Sequence, residues 1–205
     1  MQSLQINNSV VLVGKTSSEL KLSHRVPGKN IYAFTLSVPR ISGVLDKIII
    51  TAPQDIAICE NYKISDTVSV TGQFRSYNNN SGVGNKLALS VFAKKIDSVK
   101  MMADDVEYIN EIILFGYICR EPIYRTTPFG REITDLLIAV NRAYNKSDYI
   151  PCIAWGKNAK YAKMLSIGDK VNIKGRIQSR EYQKKINDSE FITKTAFEVS
   201  ISNIT

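Results

Sequence analysis

Apolar and polar residues alternate with a period of two through most of the chain. This is the pattern of half-buried β-strands. Ile31, Ala33, Leu36 and Val38 stand between polar or aromatic neighbours. Turn-forming clusters separate the runs: Pro27-Gly28, Asn78-Asn79-Asn80-Ser81-Gly82, Pro128-Phe129-Gly130 and Asn187-Asp188-Ser189. In the second half the pattern predicts strands over 110–126 (bent near Arg120-Glu121-Pro122), 132–141, 148–155, 170–182 and 190–202. One segment, 156–166, has a helical period instead. It puts Ala159, Ala162 and Leu165/Met164 on one face and Lys157, Lys160 and Lys163 on the next.

The chain also repeats itself. Asn8-Ser9-Val10-Val11-Leu12-Val13-Gly14 returns 102 residues later as Asn110-Glu111-Ile112-Ile113-Leu114-Phe115-Gly116. Phe34–Arg40 returns at Leu136–Arg142, and Val68-Ser69-Val70-Thr71-Gly72 at Val171-Asn172-Ile173-Lys174-Gly175. A register held over so many positions predicts two copies of one unit. The expected boundaries are 1–99 for unit one, 100–107 for a polar linker and 108–205 for unit two. Three strands, a short helix and two strands per unit fit a five-stranded Greek-key barrel of the OB-fold type. The expected class is therefore all-β, with two such barrels in tandem and one short helix in each.

Composition narrows the chemistry. No apolar run reaches the roughly 18 residues of a membrane span. The N-terminus lacks the basic and apolar regions of a secretory signal. Three separate cysteines, Cys59, Cys119 and Cys152, suit neither a disulfide framework nor a zinc site, and read as reduced core residues. The single histidine, His24, excludes a histidine-clustered metal site. A cytoplasmic protein without cofactor, metal or membrane attachment is expected. Acidic pairs such as Asp104-Asp105 have no metal-ligand spacing and no nucleophile or base beside them, so catalytic residues are not expected.

Net charge is +8. Residues 1–103 carry 12 Lys and Arg against 6 Asp and Glu, and residues 104–205 carry 15 against 13. Such a balance favours a polyanionic partner. In unit two, aromatic and basic residues interleave: Arg142 and Tyr144, Tyr149, Trp155 and Lys157, Arg180 and Tyr182. Single-stranded nucleic acid uses this mixture, because bases stack on aromatic faces and cations follow the phosphates. The stacking candidates are Tyr144, Tyr149, Trp155 and Tyr182, with Tyr77 in unit one. The phosphate-contact candidates are Arg142, Lys157, Arg176, Arg180, Lys184 and Lys185, with Arg75 and Lys15 from unit one. Lys29, Arg40 and Lys47 also add to unit one's charge.

Unit two resembles the bacterial single-stranded-DNA-binding protein family over 108–204. The likeness rests on Asn110-x-x-x-Leu114-x-Gly116 with Arg120-Glu121-Pro122, and on Thr126-Thr127-Pro128-Phe129-Gly130. It continues through Leu137–Arg142, Asp148–Lys157 with Ala159, and Gly168–Tyr182. The resemblance implies base stacking at Tyr144, Tyr149, Trp155 and Tyr182. Unit one departs from it. Ser42, Lys47 and Pro53 stand at the first three of those positions, Thr51-Ala52-Pro53-Gln54-Asp55 replaces the Trp-Gly-Lys element, and Tyr77 alone keeps an aromatic. The residues Ser200–Thr205 do not resemble the acidic tail common in that family, so recruitment through such a tail is not expected. Replication or repair proteins, as partners, are then expected to dock by another route.

These readings point to non-specific binding of single-stranded DNA in replication, recombination or repair. Unit two would carry the stacking, and unit one would pair subunits and extend the strand's path. The family usually assembles four units, so two per chain imply a homodimer, with a monomer that mimics a dimer as the alternative. Two other functions stay open: a replication or primosome accessory protein that acts by protein docking, and a single-stranded RNA binder.

Overall fold

The computed structural model describes residues 7–58, 62–78, 87–100, 106–185 and 191–205; for Asn78, Lys184 and Lys185 it describes the backbone. Cys59, the turn at 79–82, the turn at 187–189 and most of the expected linker (101–105) lie outside the described residues.

Unit one is built from β1 (Asn8–Thr16), β2 (Lys21–Val26), β3 (Lys29–Pro39), β4 (Leu45–Pro53), α1 (Gln54–Ala57), β5 (Thr67–Asn78) and β6 (Leu87–Ser98). Unit two repeats the order with β7 (Ile109–Ile118), β8 (Ile123–Thr126), β9 (Glu132–Arg142), β10 (Lys146–Trp155), α2 (Lys157–Ala162), β11 (Lys170–Lys185) and β12 (Phe191–Ile204). In unit one the pairings run β1–β5–β6–β4–β3 and return to β1. In unit two they run β7–β11–β12–β10–β9 and return to β7. This is the five-stranded Greek-key OB arrangement expected from the pattern, twice over.

The inward faces carry the alternating residues. Leu12, Leu36, Ile48, Ile50, Phe74 and Val91 fill unit one; Leu114, Ile138, Ile150, Ile173 and Val199 fill unit two. In β10, Ile150, Cys152 and Ala154 are buried while Tyr149 and Trp155 face outward, as period two requires. Helix α2 is shorter than the sequence suggests. It packs Ala159 and Ala162 inward, and Thr134 Oγ1 donates to the Ala159 carbonyl at 2.8 Å.

The expected strand 110–126 is a correction: it is two strands. Ile118 pairs with Ile138, and Ile123 with Asp135. The chain therefore passes Cys119-Arg120-Glu121-Pro122 opposite Leu136 and Leu137, an excess of two residues that breaks the ladder where Pro122 has no N–H to give. Unit one has the same break. Thr16 pairs with Leu36 and Lys21 with Ala33.

The two units are joined edge to edge. β1 and β7 are antiparallel neighbours from Asn8↔Leu114 to Val13↔Ile109. Val10 lies opposite Ile112, its own counterpart in the repeat, so a local twofold axis passes between them. The strands join into one 12-stranded sheet. The repeated asparagine also has a clear role. Asn8 donates to the Phe74 carbonyl at 2.7 Å and accepts from the Phe74 amide at 2.9 Å. Asn110 does the same with Ile177, at 2.8 and 2.9 Å. Each side-chain amide acts as one more peptide group, and bonds the neighbouring strand beyond the irregularity at Gly72 or Gly175.

Candidate nucleic-acid interface

Two buried aspartates tie the units together on either side of the local axis. Asp46 of β4 accepts from the Ser179 amide of β11 at 2.8 Å. Its counterpart Asp148 of β10 accepts from the Ser76 amide of β5 at 2.9 Å. In return Ser179 Oγ accepts from the Lys47 amide and Ser76 Oγ from the Tyr149 amide, at 2.8 and 2.7 Å. Each aspartate holds an arginine of its own unit. Arg40 grips Asp46 with two bonds of 2.8 and 2.6 Å, and Arg142 reaches Asp148 at 3.1 Å. Removing one partner of such a buried pair costs about 3–5 kcal/mol.

The junction creates two grooves, each lined from both units. The first, about 520 Å³, holds Arg142, Tyr144 and Lys146 of unit two beside Gln73 and Arg75 of unit one. The second, about 570 Å³, holds Arg125, Trp155, Gln178 and Arg180 of unit two beside Arg40 and Val44 of unit one. Next to the second, Phe129 and Arg131 form a further hollow with Trp155. Glu198 also faces the second groove. Burial holds its carboxyl above the ordinary range, against the pull of Arg180, Arg125 and Arg40.

The stacking candidates sit where a strand could reach them. Tyr144 tops the β9–β10 turn with 94% of its surface exposed. Trp155 closes β10 with 38% of its surface exposed, and Tyr149 shares its face three strand repeats earlier. Tyr182 lies half-buried in β11 opposite Lys194. Tyr77 lies beside Ser76, and so across the junction from Tyr149. Burial raises its hydroxyl above the usual pKa, while Arg75 and Arg142 act in the other direction.

The cations divide differently. Arg75 and Arg142 meet in the first groove, and Arg180 lines the second. Arg176 is exposed on β11, and Lys157 is exposed at the start of α2. Lys15 is exposed on β1 where that strand meets β3 and β5, outside the lining of both grooves. Lys184 and Lys185 end β11, with side chains outside the described residues.

Sequence reasoning missed Arg125 and Lys146 in the grooves, and Arg131 and Phe129 in the adjoining hollow. Phe129 is the one with a legible signal. It is 92% exposed in a turn, where an aromatic has no core to fill.

The single-strand binding protein family model matches residues 109–204. Single-stranded DNA-binding protein 3 of Clostridium acetobutylicum is 31% identical over 97 residues, which are 44% of this chain and 67% of that protein. The single-stranded DNA-binding protein of Clostridium tetani is 34% identical over 92 residues, 42% of this chain and 63% of that protein. The chain belongs to the single-strand binding protein family. It spans 58–63% of the length of several curated relatives it matches. The crystal structure of the wild-type single-stranded DNA binding protein from Thermus aquaticus is similar in fold over both units. The TM-score is 0.76 and the identity 21%, with 97% of this chain and 91% of that one covered.

Proposed function

We propose that the protein binds single-stranded DNA without strong sequence preference and shields it during replication, recombination or repair. The observation that carries this reading is the composite surface at the junction. Exposed Tyr144 and Trp155 each stand in a groove with arginines from both units. Stacking on an aromatic face is worth about 1–3 kcal/mol per base and tolerates any sequence. Tyr149, Tyr182 and Tyr77 extend the stacking positions. Arg180, Arg142, Arg75, Arg176 and Lys157 contact phosphates. Lys15, away from both grooves, contributes only to the general field. The relatives named above carry single-stranded DNA binding in their own names, which favours DNA over RNA.

Residues 1–99 and 108–205 are read as the two OB units, joined through 100–107. The chain assembles as a homodimer, which brings four units together. It acts in the cytoplasm, on the exposed strands of the chromosome.

The test is a titration with oligo-dT, oligo-rU and duplex at several salt concentrations. Oligo-dT should bind far more tightly than duplex. Log K should fall linearly with log[salt], with a slope of about −0.7 per phosphate neutralised. Trp155→Ala and Tyr182→Ala should each lose about 1–3 kcal/mol at fixed salt. Equal affinity for duplex, or a folded double variant with unchanged affinity, would overturn the reading.

A further inference from the structure

The two grooves are equivalent in the repeat but not in charge. The residues that differ form an exchange: Gln73 and Arg75 in β5 stand where β11 has Arg176 and Gln178. In the Trp155 groove the inner position is the buried, neutral Gln178. There Arg40 pairs with Asp46 through two short bonds, one guanidinium to one carboxylate. In the Tyr144 groove the inner position is Arg75. Asp148 already accepts from Arg142 and from the Ser76 amide through one oxygen, Oδ1. Arg75 Nε stands 4.0 Å from the other oxygen, Oδ2, and both atoms are buried without a hydrogen-bond partner.

Two guanidiniums thus face a single carboxylate, with Lys146 in the same lining. Burial and the charge of Arg142 hold Arg75 below the ordinary guanidinium pKa, and Asp148 makes up only part of the difference. Arg75 is held otherwise by a bond to Gln73 and by stacking 5.5 Å from the centre of the Phe92 ring. It can turn toward an incoming anion without breaking a bond to Asp148. A planar guanidinium is suited to this, since it can offer two parallel donors to a phosphate.

We infer that the Tyr144 groove is an anion subsite, in which Arg75 of unit one and Arg142 of unit two together hold one backbone phosphodiester of a strand whose base lies on Tyr144. The subsite rests on the single-stranded DNA reading above. It gives unit one a direct contact with the ligand, and it makes the two grooves unequal: in one, two arginines share a single carboxylate, while in the other Arg40 is already paired with Asp46.

The experiment measures the salt dependence of oligo-dT binding for the full chain and for Arg75→Gln and Arg75→Lys, each checked for folding by circular dichroism. Arg75→Gln should make the log–log slope shallower by about 0.7, the share of one phosphate. Arg75→Lys should keep the slope, since it keeps the charge. A wild-type slope in folded Arg75→Gln would overturn the subsite. If the unaltered protein binds no oligo-dT, the single-stranded DNA reading fails instead. An inorganic phosphate titration, followed through the arginine Nε–H signals by NMR, then judges the groove on its own. Movement of the Arg75 signal supports an anion subsite, and a fixed signal overturns it.

Discussion

Tyr144 has a backbone φ of 61° and its neighbour Asn145 one of 52°. Both lie in the left-handed region, as tight hairpin turns require. Asn accepts that conformation readily, but a tyrosine there costs of order 1–3 kcal/mol. In the matching turn of unit one Gly43, the counterpart of Asn145, is left-handed at φ 82°, while Ser42, the counterpart of Tyr144, is not. The aromatic at Tyr144 is therefore held against local backbone preference, with almost its whole ring in solvent. Tyr144→Asn should leave thermal stability unchanged or higher while weakening oligo-dT binding by about 1–3 kcal/mol. Lower stability with unchanged affinity would assign Tyr144 a packing role. At this scale residue type and strand period made the exposure of Tyr144, Tyr149 and Trp155 legible in the sequence. The balance of Arg75 against Asp148 was not readable. Those two residues are 73 positions apart and come from different units.

The strands were legible for a simple reason: period two states which residues face the core. The repeated glycines were visible too, but their cause is geometric. A Cβ on Gly116 would lie 2.5 Å from the Ala139 carbonyl oxygen, and one on Gly14 would lie 2.6 Å from that of Ser37. At both points the first strand of a unit crosses tightly over the third, which lets the ring of pairings return to its start. Backbone cannot yield there as a flexible side chain could. Gly116→Ala should destabilise by about 1–3 kcal/mol through overpacking, read from the denaturation midpoint. An unchanged midpoint would mean that β7 and β9 need not approach so closely. The break at Cys119–Pro122 was legible only as a bend. Whether a proline interrupts a ladder depends on the partner strand, which periodicity does not name.

In the whole molecule the repeat revealed two units but not how they meet. An offset of 102 residues gives equivalence, and docking depends on which edge is left unpaired. β1 and β7 supply those edges, and Asp46 and Asp148 lock them. The units are consequently less independent than tandem modules joined by a polar linker. Residues 106–205 expressed alone would leave the β1-facing edge of β7 unpaired and deprive Asp148 of the Ser76 amide. The local twofold supplies the remedy: a second copy can offer its own β7 and its own Ser179. Unit two alone should form a self-paired dimer by light scattering, and a folded monomer would show that the junction is not what stabilises the edge. Residues of unit one, expected from the sequence to pair subunits and extend the strand's path, line both grooves at this junction.

The central claim is that bases stack at the junction grooves. The chain has a single tryptophan, Trp155, so its fluorescence reports one groove without ambiguity. The most direct measurement is a titration of that fluorescence with oligo-dT at low and at high salt. Saturable quenching should appear in both, weaker at high salt but not abolished, because stacking is less screened than phosphate attraction. Binding that leaves Trp155 fluorescence unchanged would place the strand elsewhere and contradict the claim.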